Sequence, residues 1–205
     1  MIKFENINVS FQSKILLENF NLEIYPQDKV LIKGRSGIGK STILKLLLGF
    51  VKADNGQIYF KDDELIKNIW HIRKNFAYVP QDLDIFAGNT LNLFAEIAAF
   101  KGNNGLDFSK DTIIKYFDIF LLEKDILQKN YEDLSGGEKQ RIAVIVALLL
   151  NKSIFLLDEI TSALDKESAE AIIKYFCNLS SATQIIISHD ESLWLQNGEF
   201  KVITL

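Results

Sequence analysis

Val30-Leu31-Ile32-Lys33-Gly34-Arg35-Ser36-Gly37-Ile38-Gly39-Lys40-Ser41 is the stretch that decides the fold of this chain. Val30 to Lys33 is a short apolar run that reads as a strand and feeds straight into Gly34. Gly34 to Ser41 then fits the spacing G-x-x-x-x-G-K-[ST] in full. Ser41 to Phe50 follows as a predicted helix, with an apolar body of Ile43, Leu44, Leu46, Leu47 and Leu48. Strand, glycine loop, helix is the context in which this pattern cradles phosphate. The glycines let consecutive amides turn inward, and the helix N-terminus adds unpaired N–H groups and partial positive charge. Lys40 is expected to reach the β- and γ-phosphates, Ser41 to coordinate Mg2+ through its hydroxyl, and Thr42 to add a contact at the α-phosphate.

A second stretch, Leu134-Ser135-Gly136-Gly137-Glu138-Lys139-Gln140-Arg141, adjoins an apolar run from Ile142 to Leu150. Ser135 with Glu138 three residues on reads as a capping box. Gly136 and Gly137 remove side chains where the chain enters the helix, so its amides can approach an anion. A third stretch, Ile154-Phe155-Leu156-Leu157-Asp158-Glu159, is an apolar strand that ends in two acids. That places them at the crevice where α/β sheets bind ligands. Asp158 is expected to hold Mg2+ through water, and Glu159 to act as general base on an attacking water. Adjacent side chains of a strand face opposite ways, so the two carboxylates should not share one role.

Outward from these motifs, residues 1–9 and 15–24 read as strands, Tyr25 to Asp28 as a turn, and Asn55-Gly56 as a turn before a strand over Gln57–Phe60. Phe76–Val79, Ser153–Leu157, Gln184–Ile187 and Lys201–Leu205 read as further strands, and Lys166–Asn178 as a helix. Residues 86–132 are helical in pattern, interrupted by a flexible loop at Gly102-Asn103-Asn104-Gly105. Buried strands alternating with helices argue for a mostly parallel α/β core. The chain has 205 residues, enough for one domain, and its net charge of −4 argues against a general nucleic-acid binder. The single cysteine, Cys177, fits a reducing compartment and a buried, inert role. The N-terminus lacks a signal-peptide core, and Ile142 to Leu150 is too short to span a bilayer, so a soluble cytoplasmic chain is expected.

Taken together, these motifs resemble the ATP-binding cassette (ABC) ATPases, and the resemblance covers essentially the whole chain. It implies a P-loop NTPase (RecA-like) α/β core with a small antiparallel β subdomain and an inserted α-helical subdomain at about residues 86–140, within one domain spanning 1–205. It implies ATP and Mg2+ as cofactors. Gln81, after Phe76–Val79 and Pro80, would touch the metal and the attacking water. His189, ending Ile187-Ser188-His189-Asp190, would contact the γ-phosphate, while His71 has no such context and reads as surface. Ser162-Ala163-Leu164-Asp165 matches the loop that crosses to a partner subunit, and Phe11 lies where an aromatic stacks on adenine, although a core position competes for it. Two copies would pack head to tail, so that Ser135, Gly136 and Gly137 of one close on ATP held by the other.

Ile160, where most relatives have proline, Ile126-Leu127-Gln128-Lys129-Asn130 ahead of the Leu134–Arg141 stretch, and the ending Lys201-Val202-Ile203-Thr204-Leu205 look like a small bacterial group of iron-export ABC ATPases. That resemblance implies a separate transmembrane permease and a location on the cytoplasmic face of the membrane. Residues 82–101, with Leu83, Ile85, Phe86, Leu91, Leu93 and Phe94 as their apolar members, are the expected rim of its docking groove; part of that set should pack inward, with inward packing of all six as the competing reading. A soluble ABC ATPase without a transport role, or a regulatory ATP-binding module, is the alternative function.

Overall fold

The computed structural model describes residues 1–12, 14–61, 63–83 and 86–205, for residue 66 the backbone alone. In chain order the elements are β1 (Ile2–Phe11), β2 (Lys14–Ile24), β3 (Lys29–Lys33), α1 (Lys40–Leu47), β4 (Asn55–Phe60), β5 (Asp63–Glu64), α2 (Ile69–Arg73) and β6 (Phe76–Val79). They continue as α3 (Thr90–Ala99), α4 (Lys110–Ile119), α5 (Gly136–Leu149), β7 (Ile154–Asp158), α6 (Lys166–Asn178), β8 (Thr183–Ile187), α7 (Glu191–Asn197) and β9 (Lys201–Thr204).

The strands sort into two sheets according to how they are buried. β1 alternates buried and exposed residues along much of its length, as one-sided strands do, and joins an antiparallel sheet of order β2-β1-β4-β5. β7 and β8 are buried at every residue and pair in parallel, within a sheet of order β6-β7-β8-β3-β9. Pleating divides that sheet between two cores. Val30, Ile32, Leu156, Ile185 and Ile187 face α1 and the antiparallel sheet, whereas Leu31, Leu157 and Ile186 face α5, α6 and the helical segment. Because the parallel strands run the same way, the segments after β3, β6, β7 and β8 emerge at one edge. Those segments carry the glycine loop, Gln81, Glu159 and His189.

Several local expectations change. β4 already begins at Asn55, which pairs with Asn8, so Asn55-Gly56 lies in a strand rather than in a preceding turn. α1 ends at Leu47, short of Phe50, because the Phe50 amide bonds back to Lys45 O at 2.9 Å and turns the chain out of the helix. The stretch around Gly102 holds a 3-10 turn over Lys101–Asn103.

The expected docking rim packs inward. Leu83, Leu93 and Phe94 are buried, Phe86 and Leu91 are partly buried against the same core, and Ile85 lies outside the described residues. Phe94 packs on Phe117 with centroids 6.4 Å apart, and Phe86 meets the buried Tyr131 edge-on at 6.2 Å. Backbone bonds Tyr131 N→Gly88 O (2.8 Å) and Thr90 N→Lys129 O (3.0 Å) hold this segment down. Within 82–101 Phe100 stays exposed beyond the end of α3, and outside the segment Phe50 and Trp70 are exposed too.

Candidate functional site

The glycine loop arches between β3 and α1. Arg35, Ser36 and Gly37 form its exposed crown, and Ile38 is half-buried. Gly39 caps α1 at φ 112°, a left-handed conformation that disfavours side chains. A Cβ there would also lie 3.0 Å from Leu16 O, so the loop is seated on β2. The Lys40 side chain is buried and donates to Gly34 O (2.9 Å) and Arg35 O (3.2 Å), which aims its ammonium into the loop. Thr42 follows with its amide bonded to Gly39 O at 3.0 Å.

Ser41 and Asp158 lie 117 residues apart in sequence and meet in space, with Ser41 Oγ donating to Asp158 Oδ1 at 3.0 Å. Asp158 is buried, and burial pushes its carboxyl above the ordinary range, with the Ser41 bond offsetting part of the rise and the charge on Glu159 adding to it. Tyr78 on β6 completes this corner. Its phenol is pushed up to about 12, first by burial and then by the Asp158 carboxylate that it hydrogen-bonds. Sequence reading takes Tyr78 only as part of a buried strand. A tyrosine within a buried apolar run, whose hydroxyl needs a partner, is the signal that points to it.

Ser41, Lys45, Tyr78, Gln81 and Asp158 are among the residues lining one cleft of about 400 Å³. Among the described residues no group of three His, Cys, Asp or Glu side chains could hold a metal. The hydroxyl of Ser41, the carboxylate of Asp158 and the amide oxygen of Gln81 are hard oxygen donors, the kind Mg2+ takes when phosphate and water supply the rest of its shell. The residues present fit that ion.

Glu159 does not sit on the strand. It lies just past β7 at φ 53°, the left-handed region that a non-glycine residue rarely enters. A turn, rather than strand pleating, therefore separates the two carboxylates. Its amide bonds to Ile187 O at 2.9 Å. Its carboxylate accepts from Gln81 Nε2 at 3.0 Å and lies 2.9 Å from His189 Nε2. Two residues, one following β6 and one following β8, thus converge on the carboxylate of Glu159, which follows β7 and whose side chain is 12% exposed. His71, by contrast, is exposed and apart from this cluster.

Phe11 ends β1 and is 64% exposed, which removes it from the core. Lys14, paired with it across the hairpin, donates to Gly37 O at 2.8 Å and ties the hairpin end to the glycine loop. No sequence pattern marks Lys14. Ser135 opens α5 with the complete capping box: its amide donates to Glu138 Oε2 (2.8 Å), and its hydroxyl accepts from the Glu138 amide (3.3 Å). Gly136 and Gly137 lean on the loop after Glu159, where a Cβ on Gly137 would lie 3.0 Å from Ala163 O. Among the described residues the neighbours of this turn include Glu138, Ala163 and Leu164.

The family model described as "ABC transporter" matches residues 17–162. The chain belongs to the ABC transporter family. It is an ABC transporter ATPase domain, and the antiparallel sheet, parallel sheet and helices are those of the family's fold. It is 35% identical over 193 residues to the molybdate/tungstate import ATP-binding protein WtpC of Methanocaldococcus jannaschii, covering 93% of this chain and 63% of that protein. It is 32% identical over 222 residues to the ATP-dependent lipid A-core flippase of Pasteurella multocida, covering 98% of this chain and 37% of the flippase. The chain therefore spans less than two thirds of the length of either relative. A solved dimeric ATP-binding cassette in a post-hydrolysis state, bound to ADP and Pi, matches with a TM-score of 0.83 and 26% identity over 100% of this chain and 94% of that one.

Proposed function

We propose that this ABC domain binds ATP with Mg2+, hydrolyses it as a head-to-tail homodimer, and drives a separate membrane permease from the cytoplasmic face. The observation that carries the reading is the convergence of Gln81 and His189 on Glu159, beside the Ser41–Asp158 pair. The glycine-loop amides and Lys40 hold the phosphates, Ser135 to Gly137 of the second copy close over the terminal phosphate, and Phe11 stacks on the base. Ser41 and Gln81, with Asp158 through water, would hold Mg2+, which when bound would neutralise phosphate charge. Gln81 orients the attacking water, and Glu159 takes its proton as the new O–P bond forms and the bond to the ADP oxygen breaks. His189 donates to the γ-phosphate. An intact base and its two partners favour hydrolysis over a purely regulatory ATP-binding role.

Among the described residues no helix is long and apolar enough to cross a membrane, and in this reading the permease carries the spans. We place its docking surface at Phe50 and Trp70, which are 62% and 75% exposed. Their rings flank the Arg73 guanidinium at 5.0 and 4.9 Å, an exposed aromatic–cation patch suited to an interface. The finer reading, iron export, rests on the Ile160 variant, the Ile126–Asn130 stretch and the Lys201–Leu205 stretch. Two relatives of similar identity carry names for molybdate or tungstate import and for lipid A-core flipping, so cargo is a property of the permease.

Replacing Glu159 with glutamine tests the core of the proposal. Turnover should fall by about 10²–10⁴-fold, the worth of a general base, while ATP is still bound. Size-exclusion chromatography with ATP should then show a trapped dimer. A variant that stays monomeric and turns over ATP near the wild-type rate removes Glu159 from the role of base.

A further inference from the structure

Arg141 lies one and a half turns into α5, its side chain only 12% exposed. Its Nη1 donates to Ser168 Oγ and lies 3.7 Å from Asp165 Oδ2. Asp165 caps α6, accepting from the Ser168 amide and the Ser168 hydroxyl, both at 2.9 Å. Asp165 also ends a chain of tight turns that starts at Glu159. Ser162 N bonds Glu159 O at 3.1 Å, Ser162 Oγ bonds the same oxygen at 2.9 Å, and Leu164 N bonds Thr161 O at 3.2 Å. On the other side, Gly137 sits against Ala163 O, where a Cβ would be 3.0 Å away. The turn bearing Ser135 to Gly137 is thus fastened twice, by backbone contact and by a charged side chain, to the loop that hangs from Glu159.

We infer that Arg141 is a positioning residue that couples the two ATP sites of the dimer through each subunit. This rests on the head-to-tail reading above, in which Glu159 serves the ATP held by its own chain and Ser135 to Gly137 serve the ATP held by the partner. A movement of the 159–165 loop when one site fills or empties is then transmitted by Arg141 to the turn that closes the other site. Among the described residues the polar partners of Arg141 are Ser168 and Asp165, so its effect should appear in dimer closure and not in nucleotide binding by the monomer.

The test uses the full chain in a Glu159→Gln background, with Arg141→Ala, Arg141→Lys and Asp165→Asn added. Asparagine retains the cap of α6 while removing the charge that faces Arg141. Three readouts are needed: ADP affinity of the monomer by calorimetric titration, the ATP-dependent dimer dissociation constant by sedimentation, and the melting temperature. Arg141→Ala should weaken the ATP dimer at least about tenfold, within the range usual for coupled sites, with ADP affinity changed less than about twofold. Arg141→Lys should recover most of the loss, and Asp165→Asn added to Arg141→Ala should make it no worse. With the wild-type base, the ATP dependence of turnover should become less cooperative. An unweakened ATP dimer in Arg141→Ala overturns the inference, as does a parallel loss of ADP affinity. Should Arg141→Ala fail to fold, Ser168→Ala, which removes the hydrogen-bond acceptor of Arg141 outside the loop that meets the partner, decides by the same readouts. If the Glu159→Gln chain itself stays monomeric with ATP, the dimer reading has failed, and the coupling fails with it.

Discussion

Replacing Phe11 by alanine separates the two roles an aromatic can have at the end of β1. Truncating a core phenylalanine costs about 3–5 kcal/mol, including the cavity left behind. Phe11 is 64% exposed, so its loss falls in the surface class, about 0.5 kcal/mol or less. For a chain of this size about 1 kcal/mol moves the melting temperature by roughly 2–4 °C. The expected shift is therefore about 1–2 °C, against roughly 6–20 °C for a core residue. Nucleotide affinity should behave in the opposite way. Base–aromatic stacking is worth about 1–3 kcal/mol, which raises the dissociation constant about 5- to 150-fold. Calorimetric titration with ADP and a thermal melt of the same samples measure both quantities, and Phe11→Trp should restore affinity. A melt lowered by about 10 °C with unchanged affinity would refute the reasoning, because exposure would then have misjudged the packing.

Lys40→Ala should raise the ATP dissociation constant by about 10- to 100-fold, since it removes charge-assisted bonds to phosphate; titration with unchanged affinity would mean the loop does not hold phosphate as argued. Phe94→Glu buries a carboxylate where a 1%-exposed ring packs on Phe117, and should abolish soluble, folded protein as judged by yield and circular dichroism. Trp70→Ala removes a 75%-exposed ring, and should melt like wild type yet lower association with permease-containing membranes in a flotation assay. Unchanged flotation would move the docking surface away from Phe50 and Trp70.

The parallel sheet is legible in the sequence because β3, β6, β7 and β8 are short apolar runs, mostly buried and punctuated by turns. β1 and β2 are legible for the opposite reason, since they alternate. α2 and α7 are not. Each is brief, Ile69–Arg73 and Glu191–Asn197, and each is pinned by a single buried residue, Ile72 or Trp194, too little to establish a helical period. The 83–94 segment shows a different limit. Its apolar composition predicts either an exposed rim or a packed face with equal ease. Only the partners of Phe94 and Phe86, contributed by Phe117 and Tyr131 from much later in the chain, decide for packing.

At the site, local spacing suffices for Lys40, Ser41 and Asp158, because a loop and a strand end each fix their own residues. Gln81 and His189 carry no local pattern and enter through resemblance alone; their meeting at Glu159 spans 78 residues in the first case and is tertiary in origin. Alternation along a strand also foresees two separated carboxylates, and the separation is found, but through a left-handed turn at Glu159. Gly137 is the most instructive position. A bare backbone there suits an approaching phosphate, and it equally suits the 3.0 Å approach of Ala163 O within the same chain. Both demands select glycine, so the residue type cannot say which one it answers. Arg141 can. It is fixed on Asp165 and Ser168 and has no part in the phosphate reading, so a defect confined to dimer closure on its removal would assign the contact with the 159–165 loop a function of its own.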